Sequence, residues 1–174
     1  GQRGNAVLVA SFAPNGRRRW SKELEAGRDV RYGDVAVGPD DHIWVAYRTD
    51  YPMIITTLNT DGSLLWQQAY QQALEPARGA QQQVPVVPQS LVPRAGGMTV
   101  FGFGGYRQRK GPFSLRLSAD GNFQSSRSYQ DAAATLDGAA TATAEGDLVM
   151  AYGWASNSSQ RLLKVDQNGQ IVYS

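Results

Sequence analysis

His42 is the only histidine among the 174 residues, and cysteine is absent. A general base, a nucleophile's partner or an imidazole metal ligand would therefore have to be this one residue. It stands directly after the Asp40-Asp41 pair, where a turn leaves a side chain in solvent. Zinc would need a ligand set built from carboxylates, against that ion's preference for nitrogen and sulfur. A serine triad would need His42 as well, and no G-x-S-x-G elbow accompanies it. Asp29, Asp34, Asp40, Asp41, Asp61, Asp120, Asp137 and Asp166 offer the oxygen ligands that calcium takes, but none falls in the D-x-[DN]-x-[DN]-G spacing. Asn59-Thr60-Asp61-Gly62 and Asp166-Gln167-Asn168-Gly169 fit Asx-type turn chemistry better. The chain thus offers no catalytic residue, metal ligand or cofactor site, and the expectation leans away from an enzyme.

Recognition chemistry is better represented. Basic and aromatic residues gather in three segments: Arg48, Asp50 and Tyr51; Tyr106, Arg107, Gln108, Arg109 and Lys110; and Trp154 with Ser156, Asn157 and Ser158. Arg31 and Tyr32 form a smaller group. Guanidinium and ammonium groups beside aromatic faces suit an acidic protein surface or an anionic glycan, through charge-assisted hydrogen bonds, stacking and cation–π contact. The alternative for the same residues is solvated loop surface. Arg17-Arg18-Arg19 has the charge to meet phosphates, but straight after a hairpin turn it fits a charged edge that discourages aggregation. Nucleic acid is not an expected partner.

The elements that must carry these segments follow from the turns. Asn-Gly or Asp-Gly pairs occur at Asn15-Gly16, Asp61-Gly62, Asp120-Gly121 and Asn168-Gly169, each between apolar-rich runs, the strongest short-range hairpin signal, with type I′ geometry expected. Four residues before each Gly stand Phe12, Leu58, Leu117 and Val165, and four after stand Trp20, Trp66, Ser125 and Tyr173. A second hairpin type alternates at Asp40-Asp41, Gly96-Gly97 and Glu145-Gly146. The strands after it contain a small residue and then an aromatic: Ala46-Tyr47, Gly102-Phe103 and Ala151-Tyr152. The small residue predicts close approach of a neighbouring sheet.

The turn glycines are 46, 59 and 48 residues apart, with the longer interval explained by a Gln/Ala/Pro-rich inserted loop over 71–89. Four strands per repeat at this period predict an all-β fold, a β-propeller or partial propeller of four-stranded antiparallel blades. With strands lettered A to D from the axis outward, the chain reads as a C-D half blade over 6–24, then blades over 34–70, 90–129 and 139–174. It is expected as a single repeat domain of about three and a half blades, either a fragment of a longer propeller or half of a ring completed by a second copy. The basic and aromatic segments then fall in successive B-C loops, with Arg31 and Tyr32 in a D-A connection. Expected core residues are Phe12, Val37, Trp44, Leu58, Leu65, Val100, Phe103, Leu117, Leu148, Tyr152 and Val165. Helix is confined to a turn or two at most within 73–83.

Composition is that of an ordinary globular chain, 41% hydrophobic and 18% charged, and its formal net charge of +2 is too mild to argue for nucleic acid. Without cysteine there are no disulfides and no thiolate sites, which fits a reducing compartment or a periplasmic protein without staples. No apolar stretch reaches the ~18 to 20 residues of a membrane helix.

The stretch Asp34-Val35-Ala36-Val37-Gly38-Pro39-Asp40-Asp41-His42-Ile43-Trp44-Val45-Ala46-Tyr47, followed by Ile54-Ile55-Thr56-Thr57-Leu58-Asn59-Thr60-Asp61-Gly62-Ser63-Leu64-Leu65-Trp66, resembles bacterial propeller repeats of the SBBP type. It is also similar to quinoprotein-like repeats, which carry Trp four residues after a turn Gly. The resemblance extends over nearly the whole chain outside 71–89, although Ser125 and Tyr173 depart from the Trp. It implies a propeller in a periplasmic or extracellular bacterial protein. Some quinoproteins bind pyrroloquinoline quinone with calcium in a closed eight-bladed ring over a vicinal cysteine pair, which this chain lacks. Cofactor-free relatives act as scaffolds in envelope assembly. The resemblance therefore implies a non-enzymatic binding or scaffolding module with a protein or glycan partner. The alternative is part of a propeller glycosidase, lyase or quinoprotein whose site is completed by blades or chains beyond this one.

Overall fold

The computed structural model describes residues 6–25, 27, 30–49, 52–70, 86–106, 109–129, 134–154 and 159–173. Among these, every regular element is a strand. The chain opens with a two-stranded hairpin, β1 (Ala6–Phe12) and β2 (Arg18–Glu25). A second sheet follows, β3 (Arg31–Val37), β4 (Ile43–Arg48), β5 (Met53–Leu58) and β6 (Leu64–Tyr70). The third is β7 (Val86–Arg94), β8 (Gly97–Tyr106), β9 (Arg109–Ser118) and β10 (Phe123–Ser128). The fourth is β11 (Ala134–Ala142), β12 (Leu148–Trp154), β13 (Ser159–Val165) and β14 (Ile171–Tyr173). In each sheet the strands lie side by side in chain order, and all pairings are antiparallel. β7 begins at Val86, so strand intrudes on the end of the expected 71–89 loop. Residues 71–85, including the candidate helical turn, lie outside the described residues.

All four Asn-Gly and Asp-Gly sites are tight turns, but not of the expected I′ type. Positive φ is confined to the glycine at each, Gly16, Gly62, Gly121 and Gly169, while the preceding Asn or Asp keeps negative φ. The glycine amide bonds back three residues, as in Gly62 N–H to the Asn59 carbonyl at 2.9 Å, and Asn59 N–H reaches the Ser63 carbonyl at 2.9 Å. This is a three-residue loop in which a type I turn ends in a left-handed glycine and a bulge. The carboxylate explains the choice: Asp61 Oδ1 accepts the Ser63 amide at 2.8 Å, which a right-handed aspartate reaches through an Asx turn. Hydrogen bonds from the Ser63 amide and then its side chain hold the exposed Asp61 carboxyl below its usual range.

The apolar alternation of the strands buries both faces of the inner sheets. Val9 and Leu24 of the hairpin pack on Val45, Tyr47 and Leu58 of the second sheet. The opposite face of that sheet, with Trp44, Ala46, Met53 and Ile55, packs on Met98, Val100, Phe113, Leu115 and Leu117 of the third. Phe101, Phe103 and Tyr129 then pack on Met150, Tyr152, Leu163 and Val165 of the fourth. Of the expected core, Trp44, Leu58, Val100, Phe103, Leu117, Leu148, Tyr152 and Val165 are buried, whereas Phe12 at 59%, Val37 at 56% and Leu65 at 42% exposure are not. Phe12 occupies the position of Leu58 and Leu117, which face the preceding sheet; among the described residues no sheet packs on that face of the hairpin. Val37 shares the face of Val45 and looks toward a hairpin that has only two strands to offer. Leu65 lies on β6, an edge strand of its sheet, and is left unpaired where the register shifts between Thr57 and Leu58.

A repeated contact joins the sheets along the edge formed by their last strands. Trp20 donates its indole N–H to the Thr60 carbonyl at 2.8 Å and lies against Gly62, where an added Cβ would come within 2.9 Å of the ring. Trp66 repeats this one sheet on, donating to the Ala119 carbonyl at 3.3 Å and covering Gly121, where a Cβ would meet its ring at 2.7 Å. At the third junction Ser125 stands in the Trp position, and Arg127 takes over Gly169, with Nη1 at 3.4 Å from the Asn168 carbonyl. Along the first strands the staples are side chain to backbone. Asp34 Oδ2 accepts the Leu91 amide at 2.8 Å, and Ser90 Oγ accepts the Ala140 amide at 3.0 Å. Both acceptors follow a register shift in the first strand of their sheet. Close approach was expected from the small residues of the second strands; Ala46 is buried between sheets, but Ala151 is exposed. The tightest inter-sheet approach is at Gly33, 2.4 Å from the Pro88 carbonyl for an added Cβ.

Candidate functional site

The described residues of the basic and aromatic segments lie at one end of the sheets. The Trp20, Trp66 and Arg127 contacts stack the turns at 16, 62, 121 and 169 on each other's flank, so these turns share one end. The hairpins β4–β5, β8–β9 and β12–β13 close at the opposite end of the same strands. Arg48 pairs with Met53, Tyr106 with Arg109, and Trp154 with Ser159 as the last rungs of those hairpins. Lys110 is one rung in, opposite Gly105. Arg31 and Tyr32 open β3 at this same end, opposite Arg48 and Tyr47. For Arg31, Tyr32, Tyr106, Arg109, Lys110 and Trp154 it is backbone position that is described. Tyr51 and Arg107 lie outside the described residues. Arg48 is half-buried, and its Nε donates to the Thr49 carbonyl at 3.2 Å. The Thr49 amide reaches the Pro52 carbonyl at 3.2 Å, closing that loop.

The dismissed candidates are accounted for locally. His42 Nδ1 lies 2.7 Å from Asp40 Oδ2 across its own turn. Asp41 takes φ 60° in that turn, the left-handed position that glycine holds at Gly96 and Gly146, and one that aspartate tolerates. Among the described residues no three His, Asp or Glu side chains converge as metal ligands would. Arg18 and Arg19 open β2, which pairs only with β1 and is a sheet edge. No described helix is long and apolar enough to cross a membrane.

Two residues with chemistry in them escaped the sequence reading. Arg94 at the end of β7 and Arg116 in β9 line a cleft of about 290 Å³ between the third and fourth sheets. Burial first, and then the Arg94 charge, lower the Arg116 pKa. Across the cleft Lys164 Nζ pairs with Asp147 Oδ2 at 2.9 Å. A signal was present in the repeat: aligned on the turn glycines, Arg116 replaces Thr57 while Ser125 replaces Trp66.

A scan against protein-family models finds no match to this chain, and a search of curated proteins finds none either.

Proposed function

We propose that the chain is a run of β-propeller blades acting as a non-enzymatic binding or scaffolding module of a bacterial envelope or secreted protein. Its partner is an acidic protein surface or an anionic glycan, taken at the end formed by Arg31, Tyr32, Arg48, Tyr51, Tyr106, Arg107, Arg109, Lys110 and Trp154. The single observation carrying this reading is that three successive hairpins, closing at Arg48, Tyr106 and Trp154, end on the same side of stacked sheets. Rigid strands that present basic and aromatic residues from adjacent loops form a recognition surface without moving parts. The propeller reading is supported by consecutive meander sheets whose first strands are stapled in sequence, Asp34 to Leu91 and Ser90 to Ala140. The envelope setting rests on the resemblance to SBBP-type and quinoprotein-like repeats.

The test is a triple variant, Arg107→Ala, Arg109→Ala and Lys110→Ala, assayed against an acidic polysaccharide such as polygalacturonate and against an acidic protein. Binding of the parent should weaken as salt passes about 0.1 M, where the screening length is about 10 Å. The variant should bind at least about tenfold more weakly, the loss of roughly 1.4 kcal/mol, with an unchanged circular dichroism spectrum. Equal binding by parent and variant would reduce this end to solvated surface.

A further inference from the structure

The junction between the second and third sheets is sealed by one cross-strand row, Trp44 on β4, Thr57 on β5 and Trp66 on β6. The two indoles meet edge to face, with centroids 5.0 Å apart at 86°. The equivalent row of the third sheet is Thr99, Arg116 and Ser125, and it faces the fourth sheet as the first row faces the third. Both indoles are gone. In their place is the cleft of about 290 Å³, with Arg94 and Arg116 on one wall.

The charges in this cleft are unbalanced. Arg94 and Arg116 repel, and among the described residues neither makes an ion pair. Asp147 on the facing wall is engaged by Lys164. Asp166 adds a favourable field at Arg116, but its Oδ1 is committed to the amides of Asn168 and Gln170 at 2.9 and 2.7 Å. The hydroxyl groups of Thr99, Ser114 and Tyr129 line the cleft with the guanidinium groups, and Thr99 accepts from Arg94 while keeping its own proton to donate. Arg94 Nη1 is 3.5 Å from Thr99 Oγ1, and Ser114 Oγ lies 2.9 Å from the Tyr129 hydroxyl. In that hydroxyl pair one proton is used internally and the other stays free to donate. Holding two like charges in a partly dehydrated cleft is unfavourable until an opposite charge joins them, and guanidinium forks match the planar oxygens of carboxylate and phosphate.

We propose that this cleft binds a small oxyanion: a carboxylate, sulfate or phosphate group on a compact body, held by Arg94 and Arg116 with hydroxyl donors from Thr99 and the Ser114–Tyr129 pair. A volume of about 290 Å³ lies at the lower limit of ligand pockets and admits a molecule the size of a sugar acid. The cleft is lined by Gly146 and Gln167 of two turns, at the end of the sheets away from the Arg48, Tyr106 and Trp154 hairpins. The site is therefore independent of the loop-end reading.

The full chain should be titrated with phosphate, sulfate and glucuronate at constant ionic strength balanced with chloride, following backbone amide resonances. Saturable shifts centred on Thr99, Arg116 and Gly146 support the proposal. A response to glucuronate alone identifies an organic acid as the class, and a response to phosphate or sulfate alone identifies an inorganic oxyanion. Arg94→Gln and Arg116→Gln should each weaken binding about tenfold, as expected for one charge-assisted hydrogen bond. Ser125→Trp restores the aromatic row over the cleft; it should keep the fold and abolish the shifts. The absence of saturable shifts with all three probes, or undiminished binding by Arg116→Gln or Ser125→Trp, overturns the proposal.

Discussion

Trp66 touches three parts of the molecule at once: Trp44 in its own sheet, the Ala119 carbonyl and the face of Gly121 in the next. Trp66→Ala removes all three contacts, and for a half-buried indole the expected loss is about 2 to 3 kcal/mol, read as a shifted urea midpoint. Tyr173 holds the same repeat position but is exposed and covers no glycine turn among the described residues, so Tyr173→Ala should cost under about 0.5 kcal/mol. The glycines beneath these side chains separate backbone strain from packing. Gly16 and Gly121 share a left-handed φ, 79° and 77°, but an added Cβ meets nothing within 4 Å at Gly16 and the Trp66 ring at 2.7 Å at Gly121. Gly16→Ala should cost only the backbone term of about 1 to 2 kcal/mol, and Gly121→Ala a further ~1 to 3 kcal/mol from overpacking. Tyr70 supplies a pH dependence. Burial pushes its phenol up to about 12, while its hydroxyl donates to the Gly121 carbonyl at 2.5 Å. Burial raises Tyr47 and Tyr129 as well. A folded pKa above the unfolded value of about 10 means the unfolded chain loses its proton first. Stability is then complete below pH 10 and falls as pH rises toward 12. Tyr70→Phe should flatten that alkaline loss in denaturant melts taken across the window.

At the scale of elements, the first strands of successive sheets are joined by specific polar contacts. Asp34 spends one oxygen on its neighbour Val35 and the other on Leu91, both at 2.8 Å. Leu91 pairs with Val100 in an edge strand, its amide is turned to Asp34 of the preceding sheet, and a buried amide without an acceptor is costly. Asp34→Ala should therefore destabilise by about 2 kcal/mol, more than Ser90→Ala, since the carboxylate bond is charge-assisted and the hydroxyl bond is not. Native-state hydrogen exchange reads this directly, as faster exchange at Leu91 in the first variant and at Ala140 in the second. Equal exchange at Leu91 with and without Asp34 would mean the sheets are held by apolar packing alone.

Across the whole molecule, the two outward faces carry the unused halves of the repeated contact. The leading hairpin exposes Leu8 at 71% and Phe12 at 59%, and its turn glycine Gly16 has open space above it. The trailing sheet exposes Leu162 at 48% and Tyr173 at 46%. The propeller reading predicts that these faces dock head to tail between copies, with Tyr173 over Gly16 as Trp20 lies over Gly62. Light scattering should show mass rising with concentration, and Gly16→Trp should suppress the rise. A constant monomer mass at every concentration would leave both faces uncovered in this chain and count against the docking.

The turn sites were legible because their determinants are local: a left-handed glycine beside an Asx side chain needs nothing from the rest of the chain. The all-β class followed, as did the burial of Trp44, Leu58, Leu117 and Val165, because alternation and column position repeat with the turns. The turn type was not legible, since Asn-Gly and Asp-Gly serve both I′ and bulged type I loops and the bulge depends on strand register. Phe12 and Val37 fit the buried pattern yet lie exposed, because burial needs a neighbouring sheet and a strand's own residues do not say whether one is there; Leu65 is exposed because the register shift on its edge strand leaves it unpaired. Arg94 and Arg116 are 22 residues apart in the chain and share a cleft only because alternation turns both toward the fourth sheet. The local code of this protein thus determined its strands and turns. Stacking alone decided which faces were covered, which amides were stapled and where two guanidinium groups share a cleft with no ion-pair partner among the described residues.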